Sequence, residues 1–295
     1  MKSLELTVED ITSLNDGDLR ELIGRLCEAE FLQQQLPLAD VTWGGAQEAA
    51  DGGLDVSVDS NSRLSQPNFI PRNCTGFQVK KHSMGKAACH KEMLDGTNPK
   101  PILSEIADKK GAYIIVSGKD DCSDKMLKDR LASMQEAVGS LTNKDDLKLD
   151  FYGRSRILSW LHIYPSVTLW VRQIIGKPLS GWTSFGRWAA TPIAVEDDFI
   201  TDDHRCISDS SSGNQNSLTV LEGINVVREK LHSSGSAIRI TGLSGVGKTR
   251  FAQALFESEV GNEPLPYTNT IYADLGNDLA PSASEMIDYL IANDS

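Results

Sequence analysis

The residues 242–249, GLSGVGKT, match the spacing GxxxxGK followed by Ser or Thr, which binds phosphate groups. The glycines Gly242, Gly245 and Gly247 allow the backbone to wrap a phosphate with its N–H groups pointing inward. Lys248 is expected to reach the β- and γ-phosphates, and the Thr249 hydroxyl to hold Mg²⁺. The motif predicts a site for ATP and its magnesium ion.

The segments around this loop fit a nucleotide-binding fold. Residues 237–241 are predicted to form a buried strand, and residues 250–256 a helix whose N-terminus adds partial positive charge. Residues 270–274 are predicted as the second strand of the same sheet. Only 46 residues follow Thr249, and a P-loop core needs several more strand–helix units. We therefore expect the chain to stop inside its ATPase domain and to be the front of a longer protein.

A second group of polar residues lies on two predicted strands upstream. Asp55 begins the first of them, and Gln78 and Lys80 lie on the second, in residues 75–81. Residues two apart in a strand share a face, so Gln78 and Lys80 point the same way while Phe77 and Val79 point to the apolar side.

Adjacent strands would place the Asp55 carboxylate beside that polar pair. Oxygen atoms of Asp55 and Gln78 suit Mg²⁺, and Lys80 would orient a water molecule or stabilise charge on a phosphate. The alternative is that Asp55 is a turn residue and that Gln78 and Lys80 lie on the solvent face of an edge strand.

Glu30 is the third candidate for this metal site. Residues 19–34 are predicted to form an amphipathic helix with Leu19, Leu22, Ile23 and Leu26 as its apolar stripe. Glu30 falls in the middle of that stripe, where a carboxylate is costly unless it is paired or binds a metal. The alternative is a helix that ends before residue 30 and leaves Glu30 in water.

The overall composition limits the classes of protein. The chain has 295 residues, 40% of them hydrophobic, and a formal charge of −12. That charge opposes non-specific DNA binding, so any contact with DNA must use a local basic patch. Basic residues around the second strand and the helix after it supply such a patch: Lys80, Lys81, His82, Lys86, His90 and Lys91. The alternative is that these residues form only a solvated helix face.

Localisation signals point to the cytoplasm. No apolar run is long enough for a transmembrane helix, and the N-terminus has no signal-peptide core. Five scattered cysteines without CxxC spacing argue against a disulfide framework or a zinc site. We expect a cytoplasmic protein without a membrane partner.

The predicted elements give an α/β protein in two domains. Residues 1–200 form the first domain, with residues 1–17 as a polar lead-in, and residues 218–295 form the incomplete ATPase domain. Residues 201–217, rich in Asp, Ser, Asn and Gly, are predicted to be a linker. The segment 181–190, which is rich in Trp and Gly, has no predicted role.

Residues 18–120 resemble the Mrr-like branch of the PD-(D/E)XK nuclease superfamily. The resemblance lies in a helix bearing Glu30, then GGLD ending at Asp55, then a strand with Gln78-x-Lys80 in place of the usual Glu-x-Lys. It implies an α/β/α sandwich around a mixed sheet, similar to restriction endonucleases, that cuts double-stranded DNA with Mg²⁺. Glu30, Asp55, Gln78 and Lys80 would be catalytic, and the first three would hold the metal.

The order of nuclease-like domain, linker and P-loop resembles the antiviral STAND NTPases of bacteria, the Avs group. The phrases VTWGG, DGGLDV, GFQVKK, GAYIIVS and LWVR are similar to their effector domains. The resemblance implies a nuclease held inactive, an ATP-binding module that drives homo-oligomerisation, and a C-terminal sensor for a phage protein beyond this sequence.

Two other functions remain open from the sequence. One is an ATP-dependent restriction or DNA-processing enzyme, in which a motor moves DNA and the nuclease cuts it. The other is a non-catalytic scaffold that binds nucleic acid, because the neutral Gln78 holds Mg²⁺ less strongly than a glutamate would.

Overall fold

The computed structural model of the chain describes residues 4–44, 54–62, 64, 69–184, 206–208, 217–233 and 235–293. The chain divides into two compact units. The first comprises Met1–Ser184 and Thr268–Ser295, and the second comprises Phe185–Tyr267.

A mixed five-stranded sheet is the centre of the first unit. Its spatial order is β1-β2-β3-β6-β7, with the strands β1 (Val41–Trp43), β2 (Val56–Asp59), β3 (Cys74–Lys80), β6 (Ala112–Ser117) and β7 (Lys148–Tyr152). The first three strands pair antiparallel, whereas β6 joins β3 and β7 joins β6 in parallel. The short pair β4 (Leu94–Asp95) and β5 (Asn98–Pro99) forms a separate hairpin.

Helices cover both faces of this sheet. One face packs on α1 (Val8–Ser13), α2 (Asp16–Gln33), α6 (Arg154–Leu161) and α7 (Pro165–Ile174), and the other on α3 (Lys86–Glu92), α4 (Pro101–Asp108) and α5 (Asp124–Ala137). Alternation along β6 explains the two layers, because Ile114 and Val116 enter the first core while Tyr113 and Ile115 enter the second. The predicted α/β class is confirmed.

The helix that carries the candidate Glu30 begins at Asp16, three residues before the predicted amphipathic stretch. Asn15 is its N-cap, and its side-chain oxygen accepts a hydrogen bond of 2.8 Å from the Asp18 N–H. The helix α2 continues to Gln33, so the alternative of an end before residue 30 is wrong.

The polar lead-in predicted for residues 1–17 is wrong for its described part. Residues Val8–Ser13 form α1, and Thr7 and Asp10 make a capping box at its N-terminus. Leu4, Leu6 and Ile11 are buried. The apolar residues are too widely spaced among acidic ones to show a pattern, and tertiary packing supplies the partners.

The last described residues of the first unit differ from the prediction. The predicted strand 270–274 exists as β11 (Ile271–Ala273), but it pairs antiparallel with β8 (Trp182–Ser184) and not with a strand of a nucleotide-binding sheet. The helix α10 (Ala283–Asn293) follows, and its Met286 is buried with Leu4 and Leu169. Within the Trp-rich segment only 181–184 are described; the rest of it lies outside the described residues.

The second unit contains a hairpin, two helices and the glycine loop. The strands β9 (Cys206–Ser208) and β10 (Ser217–Thr219) pair antiparallel, so strand residues occur where the linker 201–217 was predicted. The helices are α8 (Val220–Leu231) and α9 (Lys248–Ala254).

Arg228 organises the core of this unit. Its side chain is 1% exposed, and the guanidinium donates to backbone carbonyls of residues Ala254, Leu255, Glu257, Val260 and Asn262. The chain after α9 is therefore tied to α8 through a single side chain.

Over the parts of the chain that the structure describes, no helix combines the length and apolar content needed to cross a lipid bilayer.

Candidate metal and phosphate sites

The pairing of β2 with β3 brings Asp55 to Gln78. The Asp55 N–H donates to the Phe77 carbonyl at 2.9 Å, which extends the antiparallel ladder by one residue beyond β2. The Asp55 Oδ2 then accepts from the Gln78 Nε2 at 2.6 Å and from the Val79 N–H at 2.8 Å. The predicted contact between these two side chains is confirmed.

Gln78 and Lys80 share a face of β3, opposite Phe77 and Val79, as the two-residue period predicts. Phe77 and Val79 belong to the core on the α2 side. The alternative of an edge strand is wrong, because β3 pairs with a strand on each side and Gln78 is only 5% exposed.

Two polar atoms on this face are buried without a hydrogen-bond partner among the described residues. They are the Oε1 of Gln78 and the hydroxyl of Tyr113. Tyr113 pairs in register with Gly76, two residues before Gln78. Burial raises the pKa of Tyr113, and the carboxylates of Glu92 and Asp55 add to the rise. A buried acceptor and a buried hydroxyl in need of partners are typical of a ligand or water site.

Glu92 completes the site and was missed from the sequence. Its Oε1 lies 3.3 Å from the Lys80 Nζ and 2.9 Å from the Lys100 Nζ. It reaches them because α3 ends at Glu92 and the β4–β5 hairpin returns the chain to Lys100. Glu92 holds the Lys80 ammonium on the same face as Gln78.

Arg20 is the other residue that the sequence did not identify. Its Nε lies 2.8 Å from the Asp55 Oδ1, and both side chains are mostly buried. The Arg20 Nε has no partner that meets hydrogen-bond geometry in the described chain, so the contact is a charge contact with poor alignment. No helix-face pattern identifies Arg20, because it lies about 100° around the helix from Leu19 and outside the apolar stripe.

Glu30 does not join this site, which corrects its predicted role. It is 2% exposed, as the apolar stripe predicted, but its Oε1 accepts from the N–H of Ile70 at 3.1 Å. Ile70 precedes β3, whereas Asp55 contacts the last residues of β3. Ten residues also separate Glu30 from Arg20 on α2, which amounts to about 15 Å along a helix axis.

We predict that Glu30→Gln retains metal-dependent cleavage within about threefold of the original chain. An amide oxygen can still accept the Ile70 N–H, and the residue is remote from Asp55. Cleavage of plasmid DNA by equal amounts of folded protein measures this. A loss of a hundredfold or more, with an unchanged melting temperature, would return Glu30 to the site.

The residues present suit one magnesium ion. Within the described ranges no three His, Cys, Asp or Glu side chains cluster, so a site here would rest on one carboxylate and neutral oxygens. Mg²⁺ is bound in this way, with one or two carboxylates and several waters. The Gln78 Oε1, buried and without a hydrogen-bond partner in the described residues, is an available ligand beside Asp55.

Asp120 fixes the loop that follows Lys80. Its carboxylate accepts from the Ser83 hydroxyl at 2.6 Å, the Met84 N–H at 2.6 Å and the Ser117 hydroxyl at 2.9 Å. Burial by itself raises the pKa of Asp120, but these hydrogen bonds hold it below its ordinary value. The loop of Ser83 and Met84, which follows β3, is therefore held against the end of β6.

Only part of the basic patch is exposed to solvent. Lys81, His82, Lys86 and Lys91 are exposed directly after β3 and along α3. The ring of His90 instead contacts the Ser133 carbonyl at 3.0 Å. The four exposed side chains follow β3, the strand that carries Gln78 and Lys80.

The glycine loop of the second unit has part of the predicted geometry. Gly245 and Gly247 have φ of +79° and +92°, values that favour glycine. The Lys248 Nζ donates to the carbonyls of Gly242 and Leu243 at 2.9 and 2.7 Å, and Thr249 is exposed. Lys248 is therefore folded over the loop at the start of α9.

The strand predicted at 237–241 is absent from the described residues of this unit. Ile240 is 38% exposed. A buried parallel strand needs neighbours on both sides, and the sheet partner predicted at 270–274 pairs with β8 instead. The apolar pattern alone does not supply those neighbours.

No protein-family model, no curated protein and no solved structure matches this chain. The arrangement of the residues above is therefore the basis for assigning a function.

Proposed function

We propose that the first unit is a magnesium-dependent DNA endonuclease with a restriction-endonuclease-like α/β/α fold. One observation carries this proposal. The Asp55 carboxylate contacts Gln78, whose Oε1 has no hydrogen-bond partner among the described residues. Lys80 lies two residues further along the same face of β3, the strand between the antiparallel and parallel halves of the sheet. The strand order and the helices on both faces are compatible with that fold.

Each residue has a defined part in phosphodiester hydrolysis. Asp55 and Gln78 would hold Mg²⁺, which supplies charge stabilisation and an activated water when bound. Lys80 carries a positive charge that can orient the attacking water or stabilise a phosphate oxygen. Glu92 holds the Lys80 ammonium through the 3.3 Å contact.

The substrate proposed is double-stranded DNA. Exposed Lys81, His82, Lys86 and Lys91 lie directly after the strand that carries Gln78 and Lys80. Contacts of this type bind the phosphate backbone without reading bases. Because the net charge of the chain is −12, binding should depend on this patch.

The second unit is proposed to bind ATP through Gly242, Gly245, Gly247, Lys248 and Thr249. Together the two units suggest a cytoplasmic antiviral protein similar to the STAND NTPases of the Avs group. ATP would then favour homo-oligomerisation, and a C-terminal region would sense a phage protein. The resemblance of the sequence supports this wider scheme.

Cleavage of plasmid DNA tests the nuclease proposal. We expect cutting with MgCl₂, none with EDTA, and a loss of at least about a hundredfold in Lys80→Ala, since the positive charge that stabilises the reacting phosphate is removed. Lys109→Ala is the matched control, because Lys109 is exposed and pairs with Asp59 away from the site.

Other outcomes would point to the alternatives. DNA binding without cutting, also at protein concentrations that favour oligomers, would support the non-catalytic scaffold. Cutting that requires ATP hydrolysis would support a DNA-processing motor. Cutting that persists in EDTA would overturn the metal-dependent mechanism.

For the phosphate loop, we predict that Lys248→Ala weakens ATP binding by about tenfold or more, because a charge-assisted contact to the phosphates is lost. Fluorescence anisotropy with a labelled ATP analogue measures the dissociation constants. Lys230→Ala, an exposed lysine on α8, is the control. Equal affinity in Lys248→Ala and the original chain would refute the assignment of this loop.

A further inference from the structure

The guanidinium of Arg20 lies where a cation bound to Asp55 would lie. The Nε of Arg20 is 2.8 Å from the Asp55 Oδ1, with 19% and 15% of the two side chains exposed. The other oxygen, Oδ2, is already bound by Gln78 and Val79. Arg20 therefore contacts the oxygen that those hydrogen bonds leave available.

We propose that Arg20 is a built-in cation that competes with Mg²⁺ for the Asp55 carboxylate, so that the metal binds when Arg20 moves away. The inference rests on the proposed magnesium site. It assigns to Arg20 the control of metal uptake, a role that the sequence did not suggest.

Electrostatics supports the competition. A mostly buried carboxylate needs a positive partner, and Arg20 supplies one when no metal is bound. Two positive charges within a few ångströms in a poorly solvated site repel each other strongly.

The contact is also suited to being broken. The Arg20 Nε has no well-aligned acceptor in the described residues, so this pair lacks the two parallel hydrogen bonds of a strong arginine–carboxylate pair. Lys80 also has a partner of opposite charge, because its Nζ lies 3.3 Å from the Glu92 Oε1. Without metal, both charged groups of the site have a partner of opposite charge within the first unit.

Calorimetric titration of the whole chain with MgCl₂, without DNA or nucleotide, tests the proposal. We expect Arg20→Gln to bind Mg²⁺ at least about tenfold more tightly than the original chain, because one close positive charge is removed. Arg25→Gln is the control on the same helix, since Arg25 pairs with Glu21 and stacks on Trp170. Asp55→Asn identifies the binding that belongs to this site.

Each result decides between the proposals. Equal or weaker binding by Arg20→Gln, with binding lost in Asp55→Asn, would overturn the role of Arg20 and leave the metal site intact. No Mg²⁺ binding that depends on Asp55 would overturn both. Tighter binding by Arg20→Gln in a chain that never cuts DNA would support the role of Arg20 and count against the nuclease.

A second readout covers a variant of low stability. The rise in melting temperature on adding MgCl₂ reports metal binding even when the starting stability is reduced. It should be larger for Arg20→Gln than for the original chain, and unchanged for Arg20→Lys, which keeps the charge. An equal rise in Arg20→Gln and Arg20→Lys would contradict the competition.

Discussion

Asp55→Asn is expected to lower magnesium-dependent DNA cleavage by about a thousandfold. A metal ion supplies several kcal/mol of charge stabilisation in the transition state, and about 4 kcal/mol corresponds to that factor. Asparagine keeps the shape of the side chain and an oxygen for the Val79 N–H. Asparagine is neutral, however, and Asp55 is the only carboxylate among the proposed ligands. Initial rates on supercoiled plasmid, at equal concentrations of folded protein, measure the effect.

Asp59→Asn is the matched control for this variant. Asp59 is on the same strand, β2, but its carboxylate is exposed and pairs with Lys109. Its rate should stay within about twofold, because exposed ion pairs contribute little. A similar loss in both variants would indicate a general effect of charge on β2. An unchanged rate in Asp55→Asn would remove Asp55 from the mechanism.

Arg228→Leu is expected to destabilise the second unit by about 4 kcal/mol. The guanidinium donates to five backbone carbonyls and is almost fully buried. Leucine fills part of the volume but leaves the carbonyls of Val260 and Asn262 without a donor among the described residues, and each such unsatisfied acceptor costs about 1–3 kcal/mol. The carbonyls of Ala254, Leu255 and Glu257 each keep a backbone N–H donor. Arg228→Lys should lose somewhat less stability than Arg228→Leu, because an ammonium keeps three donors for some of these carbonyls. It should still be less stable than the original chain, because an ammonium cannot reach all the carbonyls.

Hydrogen–deuterium exchange resolves the effect to the unit. Amides in residues 220–262 should exchange faster in Arg228→Leu, while those of β3 and β6 should be unaffected. Arg239→Leu, an exposed position in the same unit, should change stability by less than about 0.5 kcal/mol. Unchanged protection in Arg228→Leu would show that the five hydrogen bonds do not hold the unit together.

The sequence by itself determined much of the sheet and of the site within it. The two-residue alternation in FQVK was sufficient to place Phe77 and Val79 in a core and Gln78 and Lys80 on the other face. The long apolar stripe of α2 likewise predicted its burial and that of Glu30. These are local patterns, and a buried sheet and a long helix leave few ways to satisfy them.

Only the tertiary structure decided which polar residues meet. Glu30 belongs to the apolar stripe of α2, but it lies ten residues after Arg20 along the helix. Its carboxylate therefore meets the Ile70 N–H and not Asp55. Arg20 and Glu92 reach the site because α2 passes the end of β3 and the β4–β5 hairpin returns the chain. The strand predicted at 237–241 depends on sheet neighbours, which periodicity cannot supply. Long-range pairing is set by the packing of whole elements, and spacing along the chain carries little information about it.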